Sequence, residues 1–450
     1  MQHIQGISRH QLQMSSLEDK ITADNPVRFI DAFVNHIDPV KIGFQPKILK
    51  TEGRPNFRLE VFLKLYLYGY LNGVRSSRRL EKECFRNIEV QWLLEAIYPN
   101  YHSIADFRKD NPKALKQLFK LFVSFLKDAE LIAGDTIAID GTKSRAHNSK
   151  KANYNQKKID KHKEYIQAKS QEYLDQLDQN DIQENPVAIK NIQQKIERLK
   201  QNKIKYELLE EELKNSGEPQ ISTTDADARA LLVQGQVVEV SYNIQAAVDS
   251  KHNLVVATHT INRNDKNALA AIALEVKENL ALETFTVLVD KGYHNGRELH
   301  TCKQNNITTI VAVPEQGKSN ENGTQPEYLV SKFIYNKENN SYTCPEGKTL
   351  TTTGSWHKKT GRTEESGYNF QKYRTPACKT CLVKDLCTSR NGGREIDRSQ
   401  YADAVEENHQ RYKDNPQLYR KRQEINEHIF GTIKRKWGYN YTDLVGLEKV

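Results

Sequence analysis

The chain has 450 residues, 37% of them hydrophobic and 28% charged, enough to bury a sizeable core and to form two or three domains. Its formal net charge of +9 points to a soluble protein with a polyanionic partner. No apolar run approaches the ~18 residues of a membrane span, Met1–Gly6 lacks the apolar core of a signal peptide, and six Cys are too few for a disulfide framework, so a cytoplasmic protein with thiol or metal-binding Cys is expected.

From about residue 15 to residue 130, apolar positions such as Phe62, Leu63, Leu65, Tyr66 and Tyr70 recur at helical spacing. Asn72-Gly73 interrupts the pattern, and Ser76 or Ser77 can cap a second helix. A helix-turn-helix-like unit results, with Arg75, Arg78 and Arg79 near the start of its second helix, suited to DNA contact. The plain alternative is a helical bundle with exposed charges.

Thr136-Ile137-Ala138-Ile139 is a short β-branched run that should stop at Gly141, so Asp140 is expected to emerge at a strand end. Between Gly141 and Lys163 stand eight Lys or Arg against one acid, a basic cluster of the kind that meets nucleic acid. Residues from about 155 to 215 are rich in Lys, Glu and Gln, and Asn185-Pro186 divides them into two helical runs. Leu199, Ile204, Leu208, Leu209 and Leu213 give a narrow apolar stripe, so an antiparallel helical hairpin is expected.

After Asp225 the pattern turns to strands. Val237–Val248 and Leu254–Ile261 flank the turn Asp249–Asn253. A helix over Asn267–Leu282 then leads to the strand Phe285–Val289 and Asp290. Another helix near Arg297 and a strand over Ile307–Val313 follow. Asp225, Asp227, Asp249 and Asp265 are alternative acidic ligands, but Asp249 sits in a turn and Asp265 at a helix start, where capping is the simpler explanation. Cys344, Cys378, Cys381 and Cys387 cluster further on, and the Cys-x-x-Cys pair is what a tetrahedral Zn2+ site needs from one knuckle; free thiols are the alternative, and His357 can replace one ligand. Cys84 and Cys302 read as small buried hydrophobes.

The last informative segment carries Glu427 on a helix whose apolar face takes Ile425, Phe430, Ile433 and Trp437. Arg420, Glu427 and Lys434 are spaced by seven and form one stripe. Lys434 then stands ~10 Å beyond the carboxylate, within reach of a neighbouring phosphate. Gly431 inside the helix costs about 1 kcal/mol relative to Ala, which marks close packing or an irregular turn. Three carboxylates at Asp140, Asp290 and Glu427 suit two hard divalent ions ~3.5–4 Å apart at a phosphodiester. His147, His294 and His428 lie near these acids in sequence.

Ile139-Asp140-Gly141-Thr142-Lys143, Val289-Asp290-Lys291-Gly292-Tyr293 and Tyr419-Arg420-Lys421-Arg422 followed by Glu427 to Lys434 resemble the catalytic motifs of DDE-type bacterial insertion-sequence transposases. Gly53-Arg54-Pro55 through Leu80 is similar to the N-terminal domain of the same family. One residue more than in the usual signature separates Arg422 from Glu427. The resemblance implies an α/β fold: an RNase H-like mixed-sheet catalytic core over 131–450 and an N-terminal helical DNA-binding domain over 1–130. Within the core lie a helical insertion at 150–220 and a Cys-rich insertion at 315–410. It implies catalysis by Asp140, Asp290 and Glu427 with two Mg2+ or Mn2+, and DNA contact by Lys143, Tyr419, Arg422 and Lys434. The expected partners are the element's terminal inverted repeats, target DNA and a second copy of the chain, with no membrane. A metal-dependent nuclease, or a truncated DNA-binding remnant ending at Val450, are the alternatives.

Overall fold

The computed structural model describes residues 6–12, 14–45, 55–148, 150–182, 186–233, 237–314, 324–361 and 367–450. Met1 to Gln5, Gly53, Arg54 and Asn185, used in the sequence reading, lie outside them. The chain divides into two compact units: Met1–Leu126, Arg145–Ala228 and Ile433–Val450 form one, Lys127–Ser144 and Arg229–Thr432 the other. Both the helical insertion and the last residues thus group with the N-terminal helices.

In the first unit, α1 (Pro26–His36) begins where the Asn25 side chain accepts the Val27 amide and Pro26 occupies the first turn, and it buries Val27, Ile30 and Val34 on one face. The central helix α2 (Leu59–Leu71) is buried almost all round, and its Lys64 is neutralised by Asp31 at 2.5 Å. α3 (Ser77–Arg86) follows a tight connection. A Cβ at Gly69 would come within 2.6 Å of the Val74 carbonyl and 2.7 Å of Leu80, so only glycine allows α2 and α3 to approach this closely. α4 (Ile88–Leu93), α5 (Tyr101–Asp110) and α6 (Pro112–Asp128) continue the helical run. Leu63, Leu65, Leu80, Leu93 and Ile104 form the buried centre.

β1 (Thr136–Arg145) starts at the expected residue but runs through Asp140 and Gly141 to Arg145. Its far end is held by a partner the local sequence cannot announce: the Arg145 amide donates to the Asn440 carbonyl at 3.1 Å, and the Thr442 amide to the Arg145 carbonyl at 2.8 Å. β2 (Asn153–Tyr154) pairs with β3 (Ile221–Ser222) and closes the base of the expected hairpin, α7 (Gln156–Ile182) and α8 (Pro186–Ser216). Tyr154, Ile159, Leu209, Leu213 and Ile221 pack there, bringing the start of α7 to the end of α8. Ile204 and Leu208 stay 57% and 61% exposed, so the apolar stripe is narrower than the sequence suggests.

The second unit is built on one mixed sheet. β4 (Arg229–Val233), β5 (Val237–Asp249), β6 (Val255–Ile261), β7 (Phe285–Val289) and β8 (Ile307–Val311) join β1 in the order β4-β5-β1-β7-β8, with β6 also on β5. β1, β7 and β8 are parallel, and β5 is antiparallel to β4 and β6. The β5–β6 turn is fixed by Asp249, fully buried, whose carboxylate accepts the amides of Ala133, Gly134 and Lys251; its capping role is as expected. α9 (Leu269–Asn279) and α10 (Gly296–Gln304) connect the later strands.

A second, smaller sheet occupies the Cys-rich stretch. β9 (Ile334–Asn336), β10 (Ser341–Thr343), β11 (Thr349–Thr351), β12 (Trp356–Lys359), β13 (Tyr368–Arg374), the short α11 (Lys384–Cys387) and β14 (Glu395–Ser399) enclose Phe333, Tyr342, Leu350, Tyr373 and Ile396. The chain then returns to the main sheet through α12 (Ala402–Asp414). Asn408 on α12 accepts the Val311 amide at 2.9 Å and donates to the Val311 carbonyl at 3.0 Å, completing the edge of β8. α13 (Pro416–Gly431) lays Ile425 and Ile429 on Ala138, Val248 and Val255. The irregularity expected at Gly431 is real: a π-turn, Thr432–Lys436, follows it. That turn breaks the 3.6-residue phase, so Trp437 does not extend the apolar face of α13 and is 42% exposed, edge-on to Tyr439.

Candidate active site

Parallel pairing fixes the centre of the site. Ile137 stands opposite Val287 and Ala138 opposite Leu288, so continuing this register by two residues sets Asp140 against Asp290. Neighbouring strands lie ~4.8 Å apart and residues i and i+2 share a face, which puts Asp140 on the face where Ala138 meets α13.

The Asp140 carboxylate accepts its neighbour Gly141's amide at 2.8 Å and lies 3.4 Å from Arg422 Nη1 on α13. Its carboxyl is raised above the usual value. Burial is the main cause, the Gly141 amide and Arg422 oppose it, and the charges of Asp290 and Asp265 add to it. Asp290 caps a single turn, Lys291–Tyr293, by accepting the Gly292 amide at 2.7 Å. Arg422 rests against the Tyr419 ring, 5.8 Å from its centroid, and Tyr419 packs edge-on against Tyr412 at 4.9 Å.

Asp265 is a member of this site that the sequence reading assigned to capping. The residue lies in the single turn Asp265–Asn267, and no side chain caps that turn. Instead Asp265 Oδ1 accepts from Asn243 Nδ2 at 2.8 Å and Gln245 Nε2 at 2.9 Å, and Oδ2 pairs with Lys143 Nζ at 3.1 Å. Burial pushes its carboxyl up, but Asn243, Lys143 and Gln245 together outweigh burial and leave it below the usual value. Gln245 in turn accepts from the hydroxyl of Tyr293, which is fully buried. That phenol is pushed well above its usual range, first by burial and then by the charges of Asp265, Asp140 and Asp290. The signal in the sequence was a polar Asn-x-Gln pair at buried positions of β5, a strand whose other residues are mostly apolar.

Two glycines let the network close. A Cβ on Gly141 would lie 2.4 Å from Gln245 Nε2, 2.6 Å from Asp265 Oδ1 and 2.8 Å from Asn243 Oδ1. One on Gly292 would lie 2.9 Å from Asp290 Oδ1 and 3.8 Å from Asp265 Oδ2.

Asp140 and Asp290 are brought together, with Lys143, Arg422 and Tyr419 around them. Glu427 is exposed on α13; at 100° per residue it stands about 140° round the helix from Arg422, the residue that reaches Asp140. Its neighbour Asn426 is buried, with neither amide atom hydrogen-bonded. Lys434 lies in the π-turn. His294 is half-buried with an unpartnered Nε2, while His147 and His428 are exposed.

In the helical unit the three arginines separate. Arg75 stacks over Tyr439 at 4.1 Å and Tyr441 at 5.0 Å and donates to the Gly438 carbonyl at 3.2 Å, so it holds the last residues of the chain. Arg78 and Arg79 are exposed, Arg78 lying 4.9 Å over Tyr101. These two keep their guanidinium groups at the surface.

Cys344, Cys378, Cys381 and Cys387 are free thiols that line one hollow of about 30 Å³, with Tyr328, Phe333 and Arg394. The Lys348 amide lies 3.2 Å from Cys344 Sγ in the turn after β10. Burial pushes the Cys387 thiol up, Arg394 opposes this, and the other three Cys add to it. His357 pairs with Phe370 on β12–β13 and is exposed, outside this hollow. Cys84 and Cys302 are buried, as expected. Among the described residues, no three or more His, Cys, Asp and Glu side chains form a group that could hold a metal ion as they stand. Nor, among them, is any helix long and apolar enough to cross a membrane.

Two family models match the chain. A transposase domain (DUF772) matches residues 15–110, which include Arg75, Arg78 and Arg79, and a transposase DDE domain matches residues 343–450. The second match takes in the four clustered Cys, Tyr419, Arg422, Glu427 and Lys434; Asp140 and Asp290 fall in neither. No curated protein and no solved structure matches.

Proposed function

The chain belongs to the DDE-type insertion-sequence transposases, and from that premise we propose that it cleaves phosphodiesters at its element's terminal inverted repeats and joins the freed ends to target DNA. Asp140, Asp290 and Glu427 form the acidic centre in this reading. The observation that carries it is that Asp140 lies on β1 two residues past the last β1–β7 pair, Ala138–Leu288, and Asp290 two residues past it on the other side, close enough for the charge of Asp290 to raise the Asp140 carboxyl. An RNase H-like core is supported by the strand order β6-β5-β1-β7-β8, antiparallel at the β6–β5 end and parallel from β1 to β8.

Carboxylate oxygens are the donors hard cations prefer, and two facing, half-buried carboxylates repel one another until a cation joins them, so these residues suit two Mg2+ or Mn2+. Asp140 and Asp290 would hold such ions, whose chemistry there would be to activate the attacking oxygen and stabilise the leaving one. The chain's own groups do the rest. Arg422 brings positive charge to Asp140 and is braced by Tyr419, so the phosphate and the carboxylates can share one site without net repulsion. Lys143, Lys434, Arg78 and Arg79 bind the duplex backbone. Water attacks first, and the freed 3′-hydroxyl then attacks target DNA. A homodimer on DNA, which brings two element ends together, is part of the proposal.

We also propose one structural Zn2+ held by Cys344, Cys378, Cys381 and Cys387. The four thiols share the wall of a single hollow under a sheet with few buried apolar residues, where a metal would replace missing core. Four thiolates leave no open position, so the module supports shape and not chemistry.

Labelled element ends, incubated with protein, Mg2+ and plasmid, test the catalytic reading. Wild type should cleave and join. Asp140→Asn, Asp290→Asn and Glu427→Gln should each abolish cleavage while retaining DNA binding. Near wild-type cleavage by any one removes that residue from the centre, and cleavage without joining by wild type reduces the protein to a nuclease.

A further inference from the structure

We infer that Asp265 and Tyr293 are positioning residues that set the separation of Asp140 and Asp290, through a chain of polar contacts running from Lys143 to Asp265 and on to the buried Gln245 and Tyr293. The inference rests on the reading of Asp140 and Asp290 as metal-binding carboxylates.

Three observations carry it. The chain ties together the segments that bear the two acids: Lys143 lies three residues after Asp140 on β1, and Tyr293 lies three residues after Asp290 in the turn that follows β7. Between them, Gln245 uses both ends of its amide, Oε1 accepting from Tyr293 and Nε2 donating to Asp265, so its orientation is fixed. Asp265 also approaches both acid-bearing segments where each carries glycine: its Oδ1 would lie 2.6 Å from a Cβ at Gly141, and its Oδ2 3.8 Å from one at Gly292.

The ladder between β1 and β7 ends at Ala138 and Leu288. Past that point the two carboxylates are held in register by whatever ties the following residues. Asp265 meets that need from the far side of Gly141, while Arg422 meets Asp140 from α13. It need not touch the substrate to do so. Removing such supporting hydrogen bonds typically costs about 10–100-fold in metal affinity.

Two variants separate geometry from charge. Asp265→Asn removes the charge paired with Lys143; Tyr293→Phe removes one hydroxyl and alters no charge. Full-length protein is titrated with Mn2+ by electron paramagnetic resonance, alongside Asp140→Asn, with DNA affinity measured in parallel. The expected result is that Asp140→Asn loses tight Mn2+ binding. Tyr293→Phe and Asp265→Asn should each weaken it by about ten-fold, with DNA affinity unchanged in Tyr293→Phe. Wild-type Mn2+ affinity in a folded Tyr293→Phe overturns the inference, even if Asp265→Asn fails to fold. Should Asp140→Asn bind Mn2+ as wild type does, the metal-site reading falls and takes the inference with it. A loss in Tyr293→Phe beside a loss in Asp140→Asn supports both.

Discussion

Gly141→Ala is the sharpest probe of the polar network behind the two acids. Its methyl group would meet Gln245 Nε2 at 2.4 Å, Asp265 Oδ1 at 2.6 Å and Asn243 Oδ1 at 2.8 Å, all well inside van der Waals contact. None of the three is the loose end of an exposed chain: Asn243 and Gln245 are fully buried, and Asp265 is held by three donors. Overpacking costs typically 1–3 kcal/mol, and a shift that parts one buried hydrogen bond to a charged group adds ~1–3 kcal/mol. A loss of about 2–5 kcal/mol follows. For a unit of this size each kcal/mol moves the transition ~2–4 °C, so Tm should fall by roughly 5–15 °C. Gly431→Ala is the control, because nothing lies within 4 Å of its Cβ position and it ends α13; there Ala should be neutral or stabilising by up to about 1 kcal/mol. Thermal unfolding followed by circular dichroism reads both. If Gly141→Ala melts within 2 °C of wild type, as an order-of-magnitude bound from the same scaling, the side chains behind Asp140 are not tightly held and the positioning argument loses its base.

Arg78→Ala with Arg79→Ala should weaken binding to element-end DNA and flatten its salt dependence by about two ion equivalents, whereas Arg75→Ala should lower Tm instead, because Arg75 stacks on Tyr439 and Tyr441; an unaltered salt slope in the double variant moves recognition elsewhere. Glu210 joins the two arms of the α7–α8 hairpin, and its carboxyl is pulled from 4.5 to about 2, first by Lys163 and then by Gln156 and Lys214. A lowered carboxyl stabilises the fold above its unfolded value and loses that contribution as pH falls through the folded one. Amide protection factors at the base of the hairpin, corrected for the intrinsic pH dependence of exchange, should therefore fall from about pH 4.5 down to 2, and Glu210→Gln should show the lower protection already at neutral pH; identical protection profiles for the two proteins refute the linkage. Purified protein should carry about one equivalent of zinc, lost in a Cys378→Ser, Cys381→Ser double variant whose segment from 340 to 390 becomes protease-sensitive; zinc undiminished in that variant leaves the four Cys as plain thiols.

Features fixed by neighbours in sequence were legible there. Phe285–Val289 is the strand its β-branched residues describe, Asp249 caps the turn its setting suggests, and the break at Pro186 divides α7 from α8. Features fixed by distant partners were not. Asp265 sits just before a helix, which locally reads as a cap, yet its partners Lys143, Asn243 and Gln245 are 122, 22 and 20 residues away. Arg75 reads as a DNA-facing cation because Gly438 is 363 residues distant. The extension of β1 to Arg145 depends on Asn440 and Thr442 for the same reason.

The missed residues share a physical type. Each is a polar or charged group whose cost of burial must be met by a partner, and a sequence shows the group without showing the partner. Asn243 and Gln245 could have been noticed on this ground, since two amide side chains at alternate positions of a long apolar strand face one side together and need donors or acceptors there. Both find Asp265, whose charge is then held against burial by three donors where the two acid-bearing segments meet. Asn426 remains, buried on α13 one residue before Glu427, with both ends of its amide unpaired. The α13 residues that meet the sheet and Asp140 are thus Arg422, Ile425 and Ile429, with Asn426 buried among them, and Glu427 is exposed outside that set.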